Sequence, residues 1–114
     1  MYKAERIGTH VILDMVGIDF ILLDEMDGFV KWMDGTLWDY ECEVLGVQKH
    51  KFKPQGFTAV YMLAESHFSI HTWPEKGIAA CDIFTCGDIS PESIANEVIK
   101  WFRPVNFDMK KITR

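Results

Sequence analysis

Cysteine is scarce in this chain of 114 residues, with only three present, Cys42, Cys81 and Cys86. An odd count without framework spacing excludes a disulfide scaffold and makes a reducing cytoplasm the expected location. Positive charge is also short: 12 Lys and Arg against 17 Asp and Glu leave a formal charge of -5. Neutralising phosphates takes clustered Lys and Arg, and here they are scattered, so no nucleic-acid partner is expected. Long apolar runs are missing too. The best candidate, "VILDMVGIDFILLDEM", is interrupted by Asp14, Asp19 and Asp24, each costly in lipid, so no membrane association is expected. Nothing at the N-terminus pairs a charged segment with an apolar one in the manner of a leader. With four Pro and eight Gly, the chain also lacks any low-complexity tract or linker.

What is present is apolar bulk: 48% hydrophobic residues over 114 positions are enough for one core, and residues 1–114 are expected to form a single domain. Ile7 to Val16 is rich in β-branched residues and reads as a strand closed by Gly17. Met26, Phe29, Val30, Met33, Leu37 and Trp38 fall at helical spacing, predicting one amphipathic helix over Leu23 to Tyr40 that the glycines weaken near Gly35. Glu41 to Phe52 reads as a second strand, and Pro54-Gln55-Gly56 as a turn. Phe57 to Ala64 reads as a central strand that runs on without an obvious loop. Trp73-Pro74 breaks the ladder, and Ile78 to Cys86 forms a further strand. Ser90 as N-cap and Pro91 at the first helical position open a helix ending before Pro104. The final residues are open between strand and tail. The order predicts an α+β fold, a two-layer sandwich of a mostly antiparallel sheet with helices packed on one face.

The stretch Leu63 to Gly87, "LAESHFSIHTWPEKGIAACDIFTCG", concentrates the reactive groups. Ser66 alone reads as a tolerated small residue, because a nucleophilic serine needs a base within reach. His67 and His71 alone read as core histidines satisfied by backbone. Cys86, Cys81 and Cys42 read as small buried hydrophobes, and Trp32, Trp38 and Trp101 as packing. A zinc site from His67, His71, Cys81 and Cys86 is disfavoured. Structural sites take close pairs from a turn, these lie along strands, and parity sends Cys81 and Cys86 to opposite faces. No metal is expected.

The run Glu65-Ser66-His67-Phe68-Ser69-Ile70-His71-Thr72-Trp73-Pro74-Glu75, followed by Ala79 to Gly87, closely resembles the prokaryotic type of S-adenosylmethionine decarboxylase proenzyme. Gly8, His10, Asp14 and Gly17 resemble that family's opening strand, Phe52 with Pro54-Gln55-Gly56 its turn, and Pro91 to Pro104 its last helix. The resemblance implies a self-cleaving enzyme with a covalent pyruvoyl cofactor derived from Ser66. Ser66 attacks the carbonyl of Glu65, and the chain is cut between Glu65 and Ser66 into a beta chain, residues 1–65, and an alpha chain, residues 66–114. The pyruvoyl group forms a Schiff base with the substrate amine and acts as the electron sink that no side chain supplies. His71 is implied in processing, supported by Thr58 where the family commonly has serine. Cys86 is implied as the proton donor of turnover, Phe52 as the adenine-stacking aromatic and Glu75 as the acceptor from ribose hydroxyls. Phe68, Lys76, Ile78 and Cys81 depart from the usual pattern.

The implied substrate is S-adenosylmethionine, giving the aminopropyl donor for spermidine synthesis, and the implied assembly is a homodimer with residues of both subunits near each site. A related decarboxylase of ornithine or arginine is the alternative, against which Phe52 and Glu75 stand, since a small amino acid needs neither stacking nor a ribose acceptor. An uncleaved, non-enzymatic binding paralogue is a third reading, against which the intact Glu65-Ser66 pair stands. One conflict remains in the sequence. Regular alternation sets Ser66 and His71 on opposite strand faces, so a strained turn or bulge at Glu65-Ser66 and a bend of the strand are predicted.

Overall fold

Strict alternation of buried and open positions organises the molecule. In the computed structural model, which describes residues 7–114, the elements run β1 (Thr9–Val16), α1 (Phe20–Asp24), α2 (Met26–Asp39), β2 (Val44–Lys51), β3 (Phe57–Leu63), β4 (Ser66–Trp73), a 3-10 turn (Pro74–Lys76), β5 (Ile78–Thr85), α3 (Pro91–Phe102) and β6 (Asn106–Thr113). The first six residues, on which the reading of the N-terminus rests, lie outside this range. The strands form one six-stranded sheet in the order β2-β3-β4-β5-β1-β6. Every neighbouring pair is antiparallel. Val11, Leu13 and Met15 of β1, Phe57, Ala59, Tyr61 and Leu63 of β3, Phe68 and Ile70 of β4, and Ala79, Cys81 and Ile83 of β5 are all buried. Their neighbours in sequence point to the other face, which the helices leave uncovered. This is the expected α+β two-layer sandwich, and the C-terminal segment is a strand.

The helices are placed by caps and by their apolar stripes. Asp19 caps α1 by accepting from the Ile21 N–H at 2.8 Å, and Glu25 caps α2 by accepting from the Gly28 N–H at 3.1 Å. A cap at Glu25 means the single helix expected from Leu23 is two, broken where Glu25 leaves helical geometry with ψ 77. No break occurs at Gly35. A Cβ there would stand in open space, and the buried stripe Phe29, Val30, Met33, Leu37 offsets the glycine's helix cost of about 1 kcal/mol. Trp32 and Trp101 stack at 4.9 Å between centroids, as packing predicts. Trp38 does not: it is 81% exposed, on the outer side of the last turn of α2. In α3, Ser90 accepts from the Ser93 N–H and Pro91 opens the helix, while Arg103 leaves it in the left-handed region at φ 49.

Phe29 is the hub between layers, with its ring within 6.4 Å of Trp32, Phe57, Phe68, Trp101 and Phe102. Phe29→Ala is expected to cost about 3–5 kcal/mol, read as a lower urea midpoint at unchanged slope. No helix among the described residues is long and apolar enough to cross a membrane.

Candidate active site

The corner between β3 and β4 is a two-residue turn, because Leu63 pairs directly with Ser66. Ala64 and Glu65 make the turn, and Glu65 holds φ 59, a left-handed conformation that costs a non-glycine residue of order 1 kcal/mol or more. The strained turn expected at Glu65-Ser66 is therefore present. Just beyond β5, the Cys86 thiol donates to the Glu65 carbonyl oxygen at 2.9 Å. Three groups thus converge at this end of the sheet: the Ser66 hydroxyl's residue, the peptide before it, and a thiol that polarises that peptide's carbonyl.

A second group lies at the far end of β4. Thr58 and His71 are cross-strand partners, and the Thr58 Oγ1 is 2.9 Å from His71 Nδ1. A hydroxyl on Nδ1 leaves Nε2 free for proton transfer. Phe52, Gln55, Thr58, His71, Trp73 and Glu75 line a cavity of 340 Å³, with Gln55 Nε2 donating to Glu75 Oε1 at 3.5 Å. Larger cavities exist, one of 720 Å³ beside Asp34, Trp38 and Glu41, but none of these carries the groups named above.

Why Phe52 and Gln55 sit there is a matter of the turn between β2 and β3. Gly56 at φ 95 takes a conformation open to glycine, and a Cβ there would press the Thr72 carbonyl at 3.0 Å. The Asp24 carboxylate accepts from the Gly56 N–H at 2.9 Å and from Lys51 Nζ at 2.7 Å. Those bonds, the Lys51 ammonium first, hold the Asp24 carboxyl below the usual carboxylate range, so the tie survives mild acid. The buried Thr72 hydroxyl accepts from the Phe57 N–H at 2.9 Å and donates to the Leu23 carbonyl at 2.8 Å, joining α1 to the same turn.

The two groups do not meet within one chain. Five residue steps of extended strand separate Ser66 from His71, roughly 16 Å. The bend expected to bring them together is absent. β4 pairs without interruption with β3 from Ser66 and with β5 from His67, and a bulge would disrupt ladders on both sides. The chain instead turns before Ser66, at Ala64-Glu65. Nor do His67, His71, Cys81 and Cys86 converge: Cys81 is buried on the helix side, where burial first, then Asp82 and Asp14, pushes its thiol above the ordinary range. Sequence reasoning missed Asp24, Thr72, Gln55 and Trp73 as neighbours of the cavity. The turn signal at Pro54-Gln55-Gly56 locates Gln55 only.

Family and fold are shown by similarity to known proteins. A family model described as S-adenosylmethionine decarboxylase matches residues 9–114. A protein of Methanococcus maripaludis named S-adenosylmethionine decarboxylase proenzyme is 40% identical over 111 residues, covering 96% of this chain and 91% of the relative. The chain belongs to the S-adenosylmethionine decarboxylase family. Its bacterial relatives include S-adenosylmethionine decarboxylase proenzyme 2 of Bacillus cereus, 39% identical over 94% of this chain and 88% of the relative. Among solved structures, the adenosylmethionine decarboxylase from Aquifex aeolicus aligns with TM-score 0.87 and 32% identity over 97% of this chain and 92% of that one. The Trypanosoma brucei AdoMetDC monomer, at 16% identity and TM-score 0.65, is similar in fold; the match spans 89% of this chain and 44% of that one.

Proposed function

We propose that this chain is a self-processing, pyruvoyl-dependent S-adenosylmethionine decarboxylase that is cut between Glu65 and Ser66 and works in the cytoplasm as a homodimer, as one domain spanning both fragments. The observation that carries the reading is the strained Glu65-Ser66 turn with the Cys86 thiol on the Glu65 carbonyl oxygen at 2.9 Å. A thiol there stabilises negative charge as Ser66 Oγ adds to the carbonyl carbon. The peptide C–N bond then breaks, the Ser66 amine takes a proton, and the acyl group stays on oxygen as an ester. Removal of the Ser66 Cα proton and rupture of the Cβ–O bond release Glu65 as a carboxylate. The dehydroalanine left at position 66 becomes a ketone on hydrolysis, losing ammonia. The left-handed φ of Glu65 is relieved when the chain parts.

The residues at this corner fit the group so formed, since the Cys86 thiol reaches the carbonyl joined to Ser66 and so lies beside the place where that group would form. A pyruvoyl group there would supply a carbonyl able to capture the substrate amine and to take up the electron pair freed as carbon dioxide leaves. Cys86 holds a proton at that place, ready for the substrate carbon that has lost its carboxylate. The cavity at the other end of β4 suits a nucleoside: Phe52 offers a ring for the adenine, and Glu75 accepts from ribose hydroxyls. Thr58 orients His71, whose free Nε2 removes the Cα proton during processing.

Since these halves lie roughly 16 Å apart along β4, a complete site takes position 66 and Cys86 from one chain and the cavity with His71 from another. The uncovered sheet face, which carries His71, offers a surface for that pairing, with position 66 reached at its hairpin corner rather than through the face. Val16, Val60, Met62, Trp73 and Ile112 are exposed there, an apolar set that a second sheet would bury.

Release of carbon dioxide from carboxyl-labelled S-adenosylmethionine, run against ornithine and arginine, tests the substrate; no release from the first rejects the proposal. Cys86→Ala is expected to slow cutting by roughly tenfold, the loss of one hydrogen bond to a developing oxyanion, and to cut turnover of the processed fraction far more. Denaturing gels over time and activity per cut chain separate the two effects.

A further inference from the structure

The open face of the sheet carries one more cluster, beside the Glu65-Ser66 corner but made of none of the groups assigned there. His67 of β4 and His10 of β1 are both cross-strand partners of Phe84 of β5, from its two sides. Asp82, two positions back on β5, shares their face. Its Oδ2 accepts from His10 Nε2 at 2.7 Å and from His67 Nε2 at 2.8 Å. Ser69, directly opposite Asp82 in the ladder, donates its hydroxyl to the other carboxylate oxygen. The Phe84 ring sits against both imidazoles, at 5.9 Å from His10 and 6.0 Å from His67. The side chains are partly shielded, with 19% of His10, 26% of Asp82 and 42% of His67 exposed.

Two imidazoles and one carboxylate oxygen, all within 4.8 Å of one another, form the donor set of mononuclear transition-metal sites. The three residues come from three adjacent central strands, so no chain movement is needed to assemble them. Ser69 plays the part of an outer partner that fixes the ligating carboxylate. The hydrogen-bonded spacing lies nearest one geometry. With ligand bonds of about 2.1 Å, the nitrogen-to-oxygen separations subtend roughly 80–85°, a cis angle of five- or six-coordinate sites and well below the tetrahedral value.

We infer that His10, His67 and Asp82 bind a first-row divalent transition-metal ion on the open face of the sheet, with its remaining positions directed toward the second sheet that covers this face in the proposed dimer. The ion takes the place of the Nε2 hydrogens directed at Asp82, and each imidazole binds it as the neutral tautomer whose one hydrogen is on Nδ1, reached by transfer of the Nε2 hydrogen through water. It ties β1, β5 and β4 together next to the Glu65-Ser66 turn. The rival is a purely hydrogen-bonded triad.

The test uses the full, tag-free chain, stripped with a chelator and dialysed against Zn²⁺ or Co²⁺. Metal content by mass spectrometry is expected to reach about one ion per chain. The Co²⁺ form is expected to show weak visible bands without the strong near-ultraviolet band of a thiolate ligand. His10→Gln and Asp82→Asn should each weaken binding by roughly tenfold or more, whereas Cys86→Ser should retain the ion. No retained metal, equal binding by His10→Gln, or loss of the ion in Cys86→Ser overturns the inference. If Asp82→Asn fails to fold, His10→Gln and the cobalt spectrum decide alone.

Discussion

Ser66→Ala leaves the chain as one uncut polypeptide with decarboxylase activity at background. Denaturing intact-mass measurement of the unaltered chain should give two species, residues 1–65 and residues 66–114, the second carrying a ketone in place of its amine. The variant should give one. The expected effect is this large because in the proposed mechanism the hydroxyl enters twice: it is the attacking group in the cut, and its carbon becomes the electron sink for turnover. Loss of fold is not a competing explanation. The substitution removes one hydroxyl at a half-buried hairpin corner, worth about 0.5 kcal/mol or less, so the thermal transition should stay in place. Two fragments from Ser66→Ala, or one mass for the unaltered chain, would sink the self-processing reading.

Activity is expected to return when two dead variants share a dimer. His71→Ala loses the proton acceptor of processing and Cys86→Ala the proton donor of turnover, so each alone is expected to retain a few per cent of activity or less. In a mixed dimer, one site takes Cys86 from the His71→Ala chain and His71 from the Cys86→Ala chain, and is complete. The other site has lost both. With random assortment half of the dimers are mixed, each with one working site of two, so co-expression should restore about a quarter of the unaltered activity. Sedimentation should show dimers throughout. Co-expression that yields no more activity than the separate variants would mean that both residues serve the same chain's site, which the extended β4 makes geometrically hard.

Much of the layer structure was legible locally. Ser90-Pro91 and Pro104 bracket α3 because capping and a proline stop act within a turn, while a β-branched run locates β1, an apolar run β3, and the Trp73-Pro74 break the start of β5. The helix break at Glu25 was not legible, since a glutamate cap is an uncommon start signal. The β3–β4 hairpin was hidden for a similar reason: Ala64-Glu65 lacks the Gly or Asn that normally announces a two-residue turn. Trp38 reads as packing from its spacing, yet it falls one position beyond the buried stripe that ends at Leu37 and stands 81% exposed. The triad of His10, His67 and Asp82 unites positions 72 residues apart in sequence, and no local pattern links them.

By itself the sequence determined the chemistry available and the face of each strand on which it lies: a serine after a glutamate, a thiol downstream, and alternation that sends Phe68 and Ile70 inward and His67 and His71 outward. These follow from covalent order and a side-chain period of two. Only the tertiary structure decided which groups meet. It brought Cys86 onto the Glu65 carbonyl and paired Thr58 with His71, while holding Ser66 and His71 a strand's length apart. Register between strands depends on long-range ladder pairing and on where the turns fall, and a ladder on each side of β4 keeps it straight however useful a bend would be to one chain alone.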